Sequence, residues 1–142
     1  MKIGLPRKQK GAVAIEFALV FLIFFAVFYG IVTYSLPLLL MQSFTQSTAE
    51  AVRRSVALDP STPGYDTAVK AIATTELSRQ LAWIPAALNF NVATDASATY
   101  VGGVLTVTIN YPTSKLQQVI PFLNVPGIGQ VPNLPANLSA RS

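Results

Sequence analysis

A single carboxylate, Glu16, stands five residues beyond Gly11 at the mouth of a long apolar run, and the cations Lys2, Arg7, Lys8 and Lys10 precede that glycine. A basic leader that ends in glycine reads as a processing and assembly signal, chemistry done to the chain rather than by it. An ionised acid inside an apolar helix costs about 2.5 to 3.5 kcal/mol near the bilayer centre and usually takes a partner. That makes subunit assembly one reading of Glu16. The other is local: an acid in the first turn of a helix is favoured by the helix dipole and reaches the headgroups. The residues alone leave both open.

The remaining polar inventory suits catalysis poorly. The chain has no cysteine and no histidine, which removes thiolate chemistry, disulfides, and the commonest metal ligand and general base. Asp59, Asp66, Glu76 and Asp95 remain, none at a helpful spacing. Gly127-Ile128-Gly129 lacks the further glycine and the strand and helix context of a phosphate loop. Asn137-Leu138-Ser139 matches a glycosylation tripeptide of a kind that arises often by chance. No enzymatic activity, cofactor or metal is expected.

The net charge of +4 comes wholly from the four cations before Gly11, because the six basic and six acidic residues beyond it cancel. A nucleic-acid-binding protein keeps a basic face on its folded body, so no nucleic-acid partner is expected. A basic cluster directly before an apolar segment instead sets membrane orientation. It predicts a cytoplasmic N-terminus and a C-terminal body on the far side.

The element that must position Glu16 is the apolar run itself. From Phe17 to Met41 there is no charged side chain. As a helix this stretch is longer than the roughly 30 Å hydrocarbon core, so membrane lipid is an expected partner. A conventional secretory signal would have an apolar core of only about 7 to 15 residues, which argues against cleavage at Ala49-Glu50-Ala51. Pro37 lacks an N–H and is expected to kink the helix near its far end.

The run Gly11-Ala12-Val13-Ala14-Ile15-Glu16-Phe17-Ala18-Leu19-Val20 resembles the class III signal of type IV pilin-like proteins. More narrowly, Arg7-Lys8-Gln9-Lys10-Gly11, then Ala14 to Leu19, then the apolar run reaching Gly30-Ile31-Val32 resemble the TadE-like pseudopilins of the tight-adherence pilus system. Phe21 is a departure, since many relatives carry a proline near it. The resemblance implies cleavage after Gly11 by a prepilin peptidase, which would remove all four leader charges and leave Ala12 as the new N-terminus. Ala12, Glu16 and Phe17 are then the residues implied for subunit assembly, with the Ala12 amine pairing a neighbouring subunit's Glu16. The implied partners are the peptidase and other pilin or pseudopilin subunits. The implied place is the bacterial inner membrane, with incorporation into an extracellular pilus left open.

Beyond the membrane the period of the sequence predicts the body. Phe44, Thr48, Val52 and Val56 continue one weakly apolar helical face, and Arg53 and Arg54 suit its negative pole. Asp59-Pro60-Ser61-Thr62-Pro63-Gly64 ends that helix near Leu58. A second helix is predicted over 65–83, with Asp66 and Lys70 as an i,i+4 pair and Trp83 as a core or interface anchor. Leu88, Phe90 and Val92 alternate with Asn89 and Asn91, and Leu105 to Tyr111 alternate likewise, predicting two strands. Gly102-Gly103 offers a further hairpin with 98–101. The five prolines after Tyr111 predict a meander, with one helical turn over 115–120 and a closing strand over 136–141.

The expected fold class is therefore α+β: a long N-terminal transmembrane helix continuing beyond the membrane, a second helix and a small antiparallel sheet. The expected organisation is a leader over 1–11, a transmembrane and assembly helix over 12–41 and a periplasmic pilin-like body over 42–142. The functional expectation is a minor pilin or pseudopilin. Its alternative is an uncleaved, signal-anchored single-pass protein with a partner-binding domain.

Overall fold

A computed structural model describes residues 9–142. Lys2, Arg7 and Lys8 lie outside the described residues, as does the Lys10 side chain. One helix, α1 (Gln9–Ser55), runs for 47 residues, about 70 Å at 1.5 Å per residue. Its two halves differ in environment. Every residue over 11–28 is exposed. From Thr33 onward a stripe of Thr33, Pro37, Leu40, Phe44, Ser47, Ala51 and Ser55 is buried, in the three- and four-residue steps of one helical face.

Two polar members of that stripe are satisfied inside the helix: Thr33 Oγ1 donates to the Tyr29 carbonyl at 2.8 Å, and Ser55 Oγ to the Ala51 carbonyl at 2.6 Å. The helix continues through Pro37 for another 18 residues, with the ring packed into the body. Pro37 withholds its backbone bond from the Thr33 carbonyl, and the buried stripe on either side holds the helical course.

A turn over 56–58 ends the run slightly before the expected Leu58, and α2 (Tyr65–Gln80) returns along α1. Val69, Ala73, Leu77 and Leu81 are its buried face. Residues 81–83 form a turn, and Trp83 is 47% exposed, so of the two roles expected for it, core or interface anchor, the core one is excluded.

Against the two helices lies a three-stranded antiparallel sheet, ordered β1-β2-β5, of β1 (Ala96–Val101), β2 (Val104–Pro112) and β5 (Asn137–Arg141). Leu105, Val107, Ile109 and Tyr111 of the central strand point inward in strict alternation. Gly102 and Gly103, at φ of 60° and 83°, close the β1–β2 hairpin, the left-handed pair a two-residue turn demands. The closing strand forms as expected, Ile109 opposing Ala140 and Tyr111 opposing Leu138. Phe44, Phe90 and Tyr111 stack in the centre, with ring centroids 5.4 Å and 6.0 Å from Phe44.

One predicted strand is overturned. Residues 88–92 do not form a strand: a 3-10 turn (Ala86–Leu88) follows Pro85, and a short helix α3 (Val92–Asp95) follows Asn91. The asparagines decide this. Asn89 takes a left-handed conformation at φ 50°, and Asn91 caps α3 by accepting from the Ala93 N–H at 2.9 Å. Leu88 is buried and Phe90 and Val92 pack on the core, so the pattern of burial was right and the backbone wrong. After β2, α4 (Thr113–Gln117) provides the expected helical turn, and the proline-rich meander contains a hairpin the period did not reveal, β3 (Leu123–Val125) with β4 (Gly129–Val131).

Candidate functional site: the exposed end of the long helix

Gly11, Ala12, Glu16 and Phe17 all lie on the bare half of α1 and are exposed. Ala12 and Glu16 are one turn apart, about 6 Å along the axis, and so share a face. Glu16 lies seven residues beyond Gln9, outside the first turn in which the helix dipole acts. Among the described residues it has no hydrogen-bond or ion-pair partner.

Gly11 has no structural reason to be glycine. A Cβ built there meets nothing within 4 Å, and it sits inside a helix, where glycine costs about 1 kcal/mol relative to alanine.

Phe17 opens a ladder that the sequence reading did not single out. Phe17 and Phe21 have ring centroids 6.0 Å apart, Phe21 and Phe25 4.7 Å, and Phe24 and Phe28 6.1 Å. Spacing of four was the available signal. Phe21 is the middle rung.

The acids of the body are all engaged elsewhere. Lys115 Nζ donates to both Asp95 oxygens at 2.7 Å and to the Asn89 carbonyl at 3.0 Å, tying α3 to α4. Asp59 accepts from the Ser61 N–H and hydroxyl, and Asp66 lies 3.7 Å from Lys70 as its spacing predicted. Glu50 receives Arg53 and Arg54, each at 2.7 Å, and hydrogen bonds from these guanidinium groups hold its pKa down at about 2. Arg54 also reaches Glu76 on α2 at 3.3 Å, while Arg79 and Gln80 bond the same carboxylate. Bonds from Arg79 and then Gln80 lower the Glu76 pKa. Arg54 thus links two helices, while Arg53 pairs within α1. Burial first, and then the charge of Asp95, push Tyr111 up to about 12, and its hydroxyl donates to the Leu88 carbonyl at 2.7 Å. Among the described residues no group of acids is placed to hold a metal ion.

What stands free for chemistry is the end of α1. It is long and apolar enough to cross a membrane. No curated protein and no solved structure gives a match. Residues 11–53, from the glycine to the first of the two arginines, match the family model described as TadE-like protein.

Proposed function

We propose that the chain is a minor pilin or pseudopilin that helps start, assemble or anchor a tight-adherence pilus after a prepilin peptidase hydrolyses the Gly11–Ala12 bond. The role is structural. The observation that carries the reading is the bare half of α1: exposed apolar residues over 11–28 with one carboxylate among them that has no partner among the described residues. Residues 11–28 rise about 27 Å as a helix, close to the roughly 30 Å of a hydrocarbon core, which supports a single pass.

In this reading residues 1–11 are the leader, 12–41 the membrane and assembly helix and 42–142 the body, with Thr33, Pro37 and Leu40 serving both helix and body. The cations Lys2, Arg7, Lys8 and Lys10 keep the N-terminus cytoplasmic and the body periplasmic. Cleavage removes those charges and frees the Ala12 amine. In an apolar bundle that amine and a neighbouring subunit's Glu16 attract strongly, and either left alone is costly. The pair fixes the register in which one helix lies beside the next, with Phe17 packing beside it.

The test is N-terminal sequencing of the membrane-associated protein from cells with and without their prepilin peptidase. A peptidase-dependent start at Ala12 supports the reading. A start at Met1 in both strains replaces it with a signal-anchored envelope protein.

A further inference from the structure

Between Lys115 and Arg141 the chain carries no charged residue, and the middle of that stretch is folded back against the bare half of α1. The β3–β4 hairpin is tied to the helix at its base by two tyrosines: the Tyr29 hydroxyl donates to the Pro121 carbonyl, and the Asn133 N–H donates to the Tyr34 hydroxyl at 3.0 Å. From that base the hairpin runs beside α1 toward Leu22. A cleft of about 430 Å³ lies between them, lined by Leu22, Phe25, Tyr29, Leu123, Val125 and Val131. Asn124 and Gln130 oppose each other in the register and, by strand alternation, occupy the other face. Ile128, at the tip, is 77% exposed.

We infer that this hairpin seats in the bilayer leaflet nearest the body, with the cleft filled by acyl chain. The inference rests on the reading of α1 as a membrane span. Tyrosines gather where hydrocarbon meets headgroups, and here two of them mark the level from which the hairpin hangs. Tyr29 to Leu22 is about 10 Å of helix, the depth to which interfacial amphipathic elements sink. Open strand edges are excluded from the hydrocarbon centre, so the hairpin stops in the interfacial zone, its amide face toward headgroups and its apolar face toward α1 and lipid. It acts as a foot that fixes how far the helix stands out of the membrane before extraction.

The absence of native cysteine allows single-site labelling. Ile128→Cys, Val20→Cys and Val101→Cys in the full chain, each carrying an environment-sensitive fluorophore, are compared in phosphatidylethanolamine and phosphatidylglycerol vesicles. Val101 is 76% exposed on the β1–β2 hairpin, so it matches Ile128 in exposure and differs in position. The expected result is blue-shifted emission at Ile128, lost to a lipid-borne nitroxide as at Val20, while Val101 is quenched only by aqueous iodide. Ile128 behaving as Val101 does, with Val20 in lipid, overturns the seat and leaves the span intact. Ile128 shielded from both quenchers until the protein is diluted in lipid means a second copy covers it, which also overturns the inference. Val20 open to iodide overturns the span and the seat together.

Discussion

At the scale of single residues, the two positions on which the proposed function rests do least for the fold. Gly11 touches nothing a side chain would disturb, and Glu16 is exposed. Substitutions there should separate processing from folding. Gly11→Leu is expected to leave the thermal midpoint of the body unchanged, since leucine is the better helix former, while N-terminal sequencing shows Met1 retained. Glu16→Ala is expected to leave cleavage and folding intact and to abolish pilus assembly in a piliation assay. An unprocessed Glu16→Ala chain would move the residue from subunit pairing to peptidase recognition. Both positions stand out in the sequence because a charge before an apolar run and a glycine after a basic leader are local signals. The tyrosine pair Tyr29 and Tyr34 was not, since their partners Pro121 and Asn133 lie 92 and 99 residues away.

Between elements, α1 meets the rest of the body through an apolar seam and through a charge cluster with α2, and the two respond to different perturbations. Glu50 and Glu76 both have pKa values held below the ordinary 4.5. The stability they supply is therefore full above about pH 4.5 and lost as pH falls toward 2, where Glu50 itself titrates. Acid unfolding followed by near-ultraviolet circular dichroism should steepen in that window, and Glu50→Gln should flatten part of the slope. The arginines are largely exposed, so added salt should weaken the effect. The apolar seam is indifferent to pH. Phe44 is fully buried against Phe90 and Tyr111, and Phe44→Ala should cost about 3 to 5 kcal/mol in denaturant unfolding. Periodicity disclosed the α2 face, the long β2 strand and Phe44 and Thr48 of the seam, because each pattern repeats for several turns or pleats; Val56, expected on the seam, lies in the turn after α1 and is exposed. It failed over 88–92, where alternation of Leu88, Phe90 and Val92 was outweighed by asparagines that cap and turn. It also missed β3 and β4, whose three residues each are too few to show a period among prolines.

For the whole molecule, the division between membrane helix and body is not a cut across the chain. The body grips α1 from Tyr29 onward, and Thr33, Pro37 and Leu40 are part of its interior although their sequence reads as membrane span. Hydropathy cannot separate a lipid-facing leucine from one facing protein, because both are apolar. The consequence is a sharp dependence on where the chain is shortened. Removing residues 1–28 takes away only exposed side chains among those described, and the remaining body should unfold cooperatively in mild detergent at nearly the full-length midpoint. Removing residues 1–41 also takes the Tyr29 and Tyr34 tethers, Thr33, Pro37 and Leu40. Losing the Leu40 side chain alone is worth about 2 to 5 kcal/mol, against a total stability of about 5 to 15 kcal/mol for a domain of ordinary size. The shorter chain should therefore show a broad, early thermal transition by circular dichroism. Equal midpoints for the two chains would place the start of the body's core at Gln42 and make the buried stripe below it dispensable.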